Sequence, residues 1–508
     1  MPAGKPAVAA APDARSMVAG AEGRAAVIDI GSNSVRLVVY AGVARTPLPV
    51  FNEKVLCGLG RDLEATGRLD ETGKVRALLT LRRFAGLIGS MAIEHPIAVA
   101  TAAVRDAADG TAFLETVQRE TGLAVRMLSG PDEARISALG VLSAAPEARG
   151  LMGDLGGGSL ELVHIDEGGI GEGSTLPLGV LRLMAGGGRP ARRRRRVDEA
   201  LGGIDWLPRV HGQDLYVVGG AWRALGRIHM AQTRHPLRVL HGYAAEAGEV
   251  ASLCDLIAGQ SRGSLKNMEG VPKGRLDTLP HAALTLGALL RLADPARVMF
   301  SAYGLREGLI FDRLPETVRQ QDPLVAACRL VAQLTPRFPV HGEEILNWLD
   351  PLFGDEGPRD RRLRLAASLL SDVGWRVHPD YRADHAMSEI LRAPIVGLDH
   401  RARVKLALAV RARYTHKDAE AAVAPYRSLL QEGDVVWAIR VGQALRLAQT
   451  LSAGVPSVLG RFQLELRADR VVLRSLAGAP EPLEEVVEGR LKQLADAFGR
   501  VAIYLPGY

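Results

Sequence analysis

Two short segments of the chain carry the same polar residues at the same spacing. Each reads D-x-G-x-x-S before an apolar run: Asp29, Gly31 and Ser34 in the first copy, Asp154, Gly156 and Ser159 in the second. Backbone N–H groups and hydroxyls in a glycine-containing turn can cradle an anion, and a neighbouring carboxylate can hold a divalent cation. Two such turns facing each other would grip one phosphoryl group from both sides.

The turns themselves are unusually polar for their apolar flanks. They comprise Gly31, Ser32, Asn33 and Ser34 in the first copy, and Gly156, Gly157, Gly158 and Ser159 in the second. A single glycine-rich hairpin is more often structural than functional, but its repetition in one form favours phosphate binding. Glu161 lies within reach of the second turn, and Arg36 holds the same place in the first copy. Because side chains alternate between the faces of a strand, spacing alone does not assign Asp154 and Glu161 to one metal ion.

The flanking runs predict the elements that position these turns. AAVIDI and VRLVVY surround the first turn, and MGDL and LELVHI surround the second, which is typical of β-hairpins. Between the copies we expect a helix over 72–89, a buried strand at IAVATAA, a helix over 111–121 and a strand at AVRML. Strands that alternate with helices predict an α/β architecture with an internal duplication.

Other candidate residues carry weaker signals when taken one at a time. Asp132 and Glu133 sit where a helix should begin, and acidic residues are favourable there for structural reasons alone. Arg105 follows an apolar strand and, taken alone, is a solvated arginine. LYVVGGAWRALGRI reads as a strand, a turn and a helix, which is weak evidence of a nucleotide pocket. A basic run usually forms a solvated loop but would also suit polyanion docking, and here it comprises Arg192, Arg193, Arg194, Arg195 and Arg196.

In the second half of the chain, helical periodicity replaces the alternation of strands and helices. Long helical periods run from 317 to about 451, and the end returns to strand-like alternation with a helix over 483–498 and a short strand, VAIYL. We therefore predict a disordered tail over 1–22, two α/β domains over 23–135 and 136–316, a helical domain over 317–455 and a small α+β module over 456–508.

Composition excludes several classes of protein. The chain has 508 residues, 47% hydrophobic and 24% charged, which excludes wholesale disorder, and its net charge of +6 mildly favours an anionic partner. The three cysteines form no CxxC pair, which favours a reducing cytoplasm, and we expect no membrane span. No P-loop is present. Only 5% of residues are aromatic and no RNA-binding signature is visible, so nucleic acid is not an expected partner.

The motifs, taken in order, resemble a known family. DIGSNSVRLVVY, ATAAVRDA, SGPDEARISALGV, GDLGGGSLELV, LPLGVLRL and VVGGAWRAL are similar to the exopolyphosphatase and guanosine pentaphosphate phosphohydrolase (Ppx/GppA) family, over residues 25–313. The family belongs to the actin, sugar-kinase and acetate-kinase superfamily. The resemblance implies two duplicated ribonuclease-H-like (actin-like) domains, followed in the long form by an all-α domain related to HD phosphohydrolases and a small α+β module.

The resemblance also implies roles for individual residues. The family's catalytic glutamate falls on Glu133, although the preceding acid, usually glutamate, is Asp132 here. Its magnesium carboxylates fall on Asp154 and Glu161, with Asp29 as a third candidate, so the implied cofactor is Mg²⁺ or another divalent cation. Its phosphate-binding groups fall on the two turns and on Arg105.

The implied activity is removal of the terminal phosphate of inorganic polyphosphate. Hydrolysis of pppGpp at its 5′ end is the alternative within the family, and a phosphotransferase or a non-catalytic polyanion binder are alternatives outside it. The long form implies a homodimer. In the helical domain, LLSDVG places Ser371 before Asp372 where HD enzymes need a histidine, so we expect this domain to be catalytically silent.

Overall fold

The structure is a computed structural model that describes residues 23–166, 169–187, 190–334, 336–415, 418–476, 479 and 484–506. The predicted tail at 1–22 lies outside the described residues. No helix within the described ranges is both long and apolar enough to cross a membrane.

The first lobe is built on a five-stranded sheet of order β3-β2-β1-β4-β5. Its first three strands form an antiparallel meander, and β4 and β5 run parallel to β1. Its strands are β1 Ala25–Ile30, β2 Ser34–Tyr40, β3 Pro49–Leu56, β4 Ile97–Ala100 and β5 Val125–Met127. Its helices are α1 Leu63–Thr66, α2 Glu71–Ser90, α3 Ala102–Asp106 and α4 Gly110–Thr121.

The second lobe repeats this topology in a six-stranded sheet of order β10-β11-β9-β6-β7-β8. Helix α5 Gly130–Ala144 leads into it. Its strands are β6 Gly150–Leu155, β7 Leu160–Asp166, β8 Gly169–Leu176, β9 Asp214–Val218, β10 Tyr243–Glu246 and β11 Arg297–Phe300. Its helices are α6 Val180–Ala185, α7 Pro190–Gly202, α8 Gly220–Gln232, α9 Ala247–Ala258, α10 Arg262–Lys266 and α11 Leu279–Ala293. The order β8-β7-β6-β9-β11 matches β3-β2-β1-β4-β5, as expected of duplicated actin-like domains.

Helix α5 and helix α12 (Leu305–Phe311) fill the space between the two sheets. Ile136 of α5 packs with the first sheet, whereas Ala138, two residues further on, packs with the second. Leu309 and Ile310 of α12 join the core of the first sheet. The predicted domain boundary at 135/136 therefore falls inside a helix that both sheets share.

The C-terminal region combines helices with a small sheet of order β12-β13-β14. Buried side chains from Leu324 to Ala495 form one continuous core, so the predicted boundary at 455/456 does not separate two cores. The helices are α13 Glu316–Arg319, α14 Pro323–Leu334, α15 Gly342–Leu349, α16 Pro358–Leu369, α17 Arg382–Arg392, α18 His400–Tyr414, α19 Ala419–Val423, α20 Asp434–Ser452 and α21 Glu484–Ala497. The strands are β12 Phe462–Leu466, β13 Arg470–Ser475 and β14 Val501–Leu505.

The segment LLSDVG is packed by hydrogen bonds and ion pairs. The Ser371 hydroxyl accepts a hydrogen bond from Gln449 Nε2 at 2.8 Å. Asp372 accepts from Arg337 at 3.0 Å and from Arg413 at 3.1 Å, so its charge is already balanced by two guanidinium groups. The relation to HD phosphohydrolases and the catalytic silence of this region stay predictions.

The contact between α5 and α12 predicts the effect of a single methyl group. A Cβ on Gly140 would lie 2.1 Å from the backbone oxygen of Gly304. Since the backbone cannot rotate away as a side chain can, Gly140→Ala should lower the free energy of unfolding by about 1–3 kcal/mol, measured by urea denaturation. The control is Gly86→Ala in α2, where a Cβ meets nothing within 4 Å. It should raise stability by about 0.5–1 kcal/mol, and equal effects of the two changes would contradict a tight backbone contact at Gly140.

Candidate functional site

The two polar turns adopt the same conformation. The Gly31 N–H donates to the Ser34 carbonyl at 3.0 Å, and the Gly156 N–H donates to the Ser159 carbonyl at 3.0 Å. The repeat found in the sequence is therefore a repeat in backbone geometry.

The carbonyl groups of the first turn are held by the loop that follows β3. The Ser32 carbonyl accepts from Gly60 at 2.8 Å, and the Asn33 carbonyl accepts from both Cys57 and Gly58 at 3.1 Å. A trans peptide directs its N–H opposite to its C=O. The N–H groups that follow these two carbonyls therefore point away from this loop, and the turn lines a cleft between the lobes.

The second turn is held in the same way by the start of helix α6. The Gly156 carbonyl accepts from Val180 at 3.2 Å, and the Gly157 carbonyl accepts from Leu181 at 2.9 Å. Both turns thus have outward carbonyls fixed by a neighbouring element, which leaves N–H groups able to receive an anion.

The structure brings the two turns together, each lining the same cleft. A Cβ on Gly157 would lie 2.9 Å from the Ser32 Cβ, and a Cβ on Gly158 would lie 2.7 Å from the Ser32 Oγ. The same atom on Gly158 would lie 2.8 Å from the Ala102 Cβ. Glycine at these two positions is therefore what allows the lobes to approach so closely.

The strand register decides how the carboxylates are arranged. Asp154 and Glu161 are directly opposite each other in the β6–β7 hairpin, so their side chains lie on one face. Asp29 is opposite Arg36 in the β1–β2 hairpin. The second turn is therefore flanked by a carboxylate pair and the first by a carboxylate and a guanidinium.

Burial raises the pKa of all three candidate metal ligands. Desolvation raises the pKa of Asp29 and of Asp154, although Arg306 opposes the first shift and a hydrogen bond from the Ser137 hydroxyl, at 2.8 Å, opposes the second. The pKa of Glu161 is raised well above its usual value by burial and by the nearby charges of Glu133 and Asp154. Burial therefore disfavours the charged form of each of these carboxylates.

The donor set fits a divalent cation that is completed by other ligands. The buried Glu161 Oε1 has no hydrogen-bond partner among the described residues. The described residues contain no group of three or more histidine, cysteine or acidic side chains that could enclose an ion by themselves. One or two carboxylates together with phosphate oxygens and waters is the coordination that Mg²⁺ favours.

Glu133 lies in the first turn of α5 and lines the cleft, with 8% of its surface exposed. Burial raises the pKa of Glu133 to about 7, and the charges of Asp154 and Asp29 add to the shift, while Arg105 opposes it. Asp132 instead bonds Ser129, the N-cap of α5, at the exposed side of the helix. The structure thus separates the two acids: Glu133 faces the cleft, and Asp132 pairs with the N-cap serine.

Arg105 is part of the short helix α3 and its side chain is 18% exposed, so it is not a solvated surface residue. Its guanidinium donates to Glu133 Oε2 at 2.8 Å and to Asp106 Oδ1 at 3.2 Å. The structure places the predicted phosphate-contacting arginine directly against the predicted catalytic glutamate.

Several cations in the cleft were missed by the sequence analysis. Arg306 of α12 lies 3.6 Å from Asp29. Burial and the charges of neighbouring arginines lower the pKa of Lys54 to about 8. Arg36 and Arg223 belong to the recognised motifs DIGSNSVRLVVY and VVGGAWRAL, whereas Lys54, Arg275 and Arg306 come from distant segments that no spacing connects. The cations lining the cleft are Arg36, Lys54, Arg223, Arg275 and Arg306.

The run of five arginines forms part of helix α7 rather than a loop. A helix turns by about 100° per residue, so five consecutive side chains cannot share one face. Arg194 lies 3.7 Å from Asp255, and Arg195 and Arg196 pair with Glu199 and Glu64. Arg192 and Arg193 complete the run, and its role in polyanion docking stays a prediction.

Comparison with known families agrees with this cleft between duplicated lobes. The Ppx/GppA phosphatase family matches residues 38–317, and a second family, "Exopolyphosphatase, C-terminal", matches residues 324–505. The first match alone covers more than half of the chain. The chain belongs to the Ppx/GppA phosphatase family.

Individual relatives span much of the chain. This chain is 27% identical over 464 residues to retrograde regulation protein 2 of Saccharomyces cerevisiae. The aligned region covers 82% of this chain and 77% of the yeast protein. The chain is 30% identical over 314 residues to exopolyphosphatase 1 of Mycobacterium leprae, with 57% and 89% covered. It is 26% identical over 484 residues to guanosine-5′-triphosphate,3′-diphosphate pyrophosphatase of Aeromonas hydrophila, with 89% and 92% covered.

A solved structure supports the two-lobed fold. The crystal structure of an exopolyphosphatase from Cytophaga hutchinsonii matches with a TM-score of 0.52 and 24% identity, covering 57% of this chain and 96% of that one. At this identity the likeness supports the fold alone.

The glycine contact between the turns predicts a loss of anion binding. In Gly158→Ala the added methyl would collide with Ser32 and Ala102, which should push the turns apart. We expect the affinity for tripolyphosphate, measured by calorimetry with Mg²⁺ present, to fall by at least about tenfold, because small misplacements of binding groups are costly. Gly86→Ala, remote from the cleft, should bind as the unaltered protein does. Unchanged affinity in Gly158→Ala would contradict a shared binding site.

Proposed function

We propose that this chain is an exopolyphosphatase, which hydrolyses the terminal phosphoanhydride of inorganic polyphosphate and releases orthophosphate. The observation that carries the proposal is the pair of facing turns, with N–H groups that point away from the elements holding them and with adjacent carboxylates, in a chain of the Ppx/GppA family. The naming of the Mycobacterium leprae relative as an exopolyphosphatase supports it further.

Hydrolysis of a phosphoanhydride requires that charge on the transferred group be neutralised and that a water molecule be held in line with the leaving oxygen. The two turns would hold the terminal phosphoryl group, and the cleft cations, including Arg306, would balance the remaining negative charge. Glu133 would orient the water and accept its proton. A pKa of about 7 suits a general base that works near neutral pH.

A divalent cation belongs to the proposal, with Mg²⁺ as the expected ion. Asp154 and Glu161 would hold it, with Asp29 as the third candidate. When bound, the ion supplies positive charge next to the phosphate oxygens.

The preference between two substrates is part of the same proposal. The basic cleft suits a polymer of phosphates, and we rank polyphosphate first. Hydrolysis of pppGpp is the second candidate, because the pyrophosphatase relative of Aeromonas hydrophila matches 89% of this chain. A homodimer and a cytoplasmic location are implied by the family resemblance and stand as proposals.

Initial rates on long-chain polyphosphate and on pppGpp test this ranking. With Mg²⁺ we expect orthophosphate from polyphosphate at the higher kcat/KM, and a loss of the activity when the ion is chelated. A clear preference for pppGpp would reverse the ranking. Formation of ATP from ADP and polyphosphate would instead indicate a phosphotransferase. Binding of polyphosphate without any release of phosphate would indicate a non-catalytic binder.

Replacing the candidate base tests its role. Glu133→Gln keeps the size of the side chain but cannot accept a proton, so kcat should fall by about 10²–10⁴ while polyphosphate still binds. The matched control is Asp132→Asn, since Asp132 is the neighbouring acid at the exposed helix start. Its kcat should stay close to that of the unaltered protein. A near-normal kcat in Glu133→Gln would remove Glu133 from this role.

A further inference from the structure

A chain of ion pairs connects the candidate base to the opposite lobe. Glu133 accepts from Arg105 at 2.8 Å, Arg105 also donates to Asp106 at 3.2 Å, and Asp106 is bound by Arg182. Asp106 ends helix α3 in the first lobe, whereas Arg182 lies in helix α6 of the second. The side chains of Arg105 and Arg182 are only 18% and 15% exposed, so water screens these pairs less than it screens ordinary surface pairs.

The position of Arg182 follows that of the second phosphate turn. The two residues before it, Val180 and Leu181, donate their N–H groups to the carbonyls of Gly156 and Gly157. Any motion of the second turn relative to the first lobe must therefore move Arg182 relative to Asp106. The ion pair between Arg182 and Asp106 therefore depends on the close approach of the two turns.

A second ion pair also joins the lobes, but it is not part of the chain of ion pairs that includes Glu133. Arg196 of α7 lies 3.0 Å from Glu64 of α1. Glu64 is 29% exposed and Asp106 is 33% exposed, so the two acids are matched in burial. They differ in that Asp106 touches Arg105.

We propose that Asp106 is a positioning residue: it is shared between Arg182 and Arg105, and Arg105 in turn divides its guanidinium between Asp106 and Glu133. The proposal rests on the proposed function, because it assigns Asp106 a role through Arg105 and Glu133. Asp106 competes with Glu133 for the same guanidinium. Without that competition Arg105 pairs more fully with Glu133 and is less available to a phosphate.

Kinetics of matched variants test the role. In Asp106→Asn and in Arg182→Gln, kcat on polyphosphate should fall by at least about tenfold, since misplacement of a charged group near the reacting atoms is costly. KM should change less than kcat, because the two turns are intact. Glu64→Gln, which removes the pair between Arg196 and Glu64, should keep kcat within about twofold of normal. Equal losses in Asp106→Asn and Glu64→Gln would overturn the proposal.

The pH profile separates positioning from general loosening of the lobes. Glu133 is faced by Arg105 and by the carboxylates of Asp154, Asp29 and Glu161. In Asp106→Asn, a stronger pair with Arg105 and the loss of a nearby negative charge both favour ionised Glu133, so the acid limb of kcat/KM should move to lower pH.

In Arg182→Gln both effects reverse. Asp106, released from Arg182, binds Arg105 more strongly, and a positive charge is lost, so the acid limb should move to higher pH. Limbs that stay in place, or that move the same way in both variants, would overturn the role of Asp106.

A distance measurement tests, without relying on catalytic activity, whether the ion pair between Asp106 and Arg182 holds the two lobes together. Leu79 of α2 and Leu256 of α9 are exposed, and the three native cysteines are buried, so Leu79→Cys and Leu256→Cys can carry a pair of spin labels. Asp106→Asn and Arg182→Gln should each broaden the distance distribution between the labels. An unchanged distribution would overturn the coupling between the lobes. If the unaltered protein released no phosphate from polyphosphate or pppGpp, the proposed function would fail, and this measurement would still test the contact.

Discussion

Close approach of two backbone turns is the constraint on which the rest of the structure depends. The Ser32 side chain occupies space that a Cβ on Gly157 or Gly158 would fill. For the turns to meet there, each must be fixed from behind, and the loop after β3 and the start of α6 provide that support through hydrogen bonds to turn carbonyls. The two sheets share a strand order, and each presents its hairpin turn to the same cleft.

Helix α5 contributes to both lobes and to the chemistry of the cleft. Its apolar residues pack against both sheets, so its first turn is fixed relative to the two phosphate turns at once. Glu133 and Ser137 are four residues apart and therefore lie on the same face of the helix. Ser137 donates to Asp154, and Glu133 faces Arg105. One helix thus places a candidate base in the first lobe's ion-pair chain and supports a carboxylate of the second lobe.

Much of this arrangement was predictable from local pattern. The hairpins follow from alternation around a repeated polar turn, and Asp154 and Glu161 lie at equal distances from the middle of theirs, which is why they are paired. Edge strands β3 and β8 were not predicted, because both are largely exposed, the polar residues 52–54 interrupt the apolar residues of β3, and β8 is rich in glycine. Lys54 and Arg275 could not be assigned to the cleft, since only the tertiary fold brings such distant segments together.

Helix α12 has a consequence for the order in which the molecule is built. The apolar core on one side of the first sheet includes Leu128 but is completed by Leu309 and Ile310, which come about 180 residues later. At ribosomal rates of roughly 5–20 residues per second, that interval is about ten to forty seconds. The first lobe therefore leaves the ribosome with one apolar face of its sheet exposed to water. It can complete its core only after α12 is synthesised, and the same helix places Arg306 in the cleft.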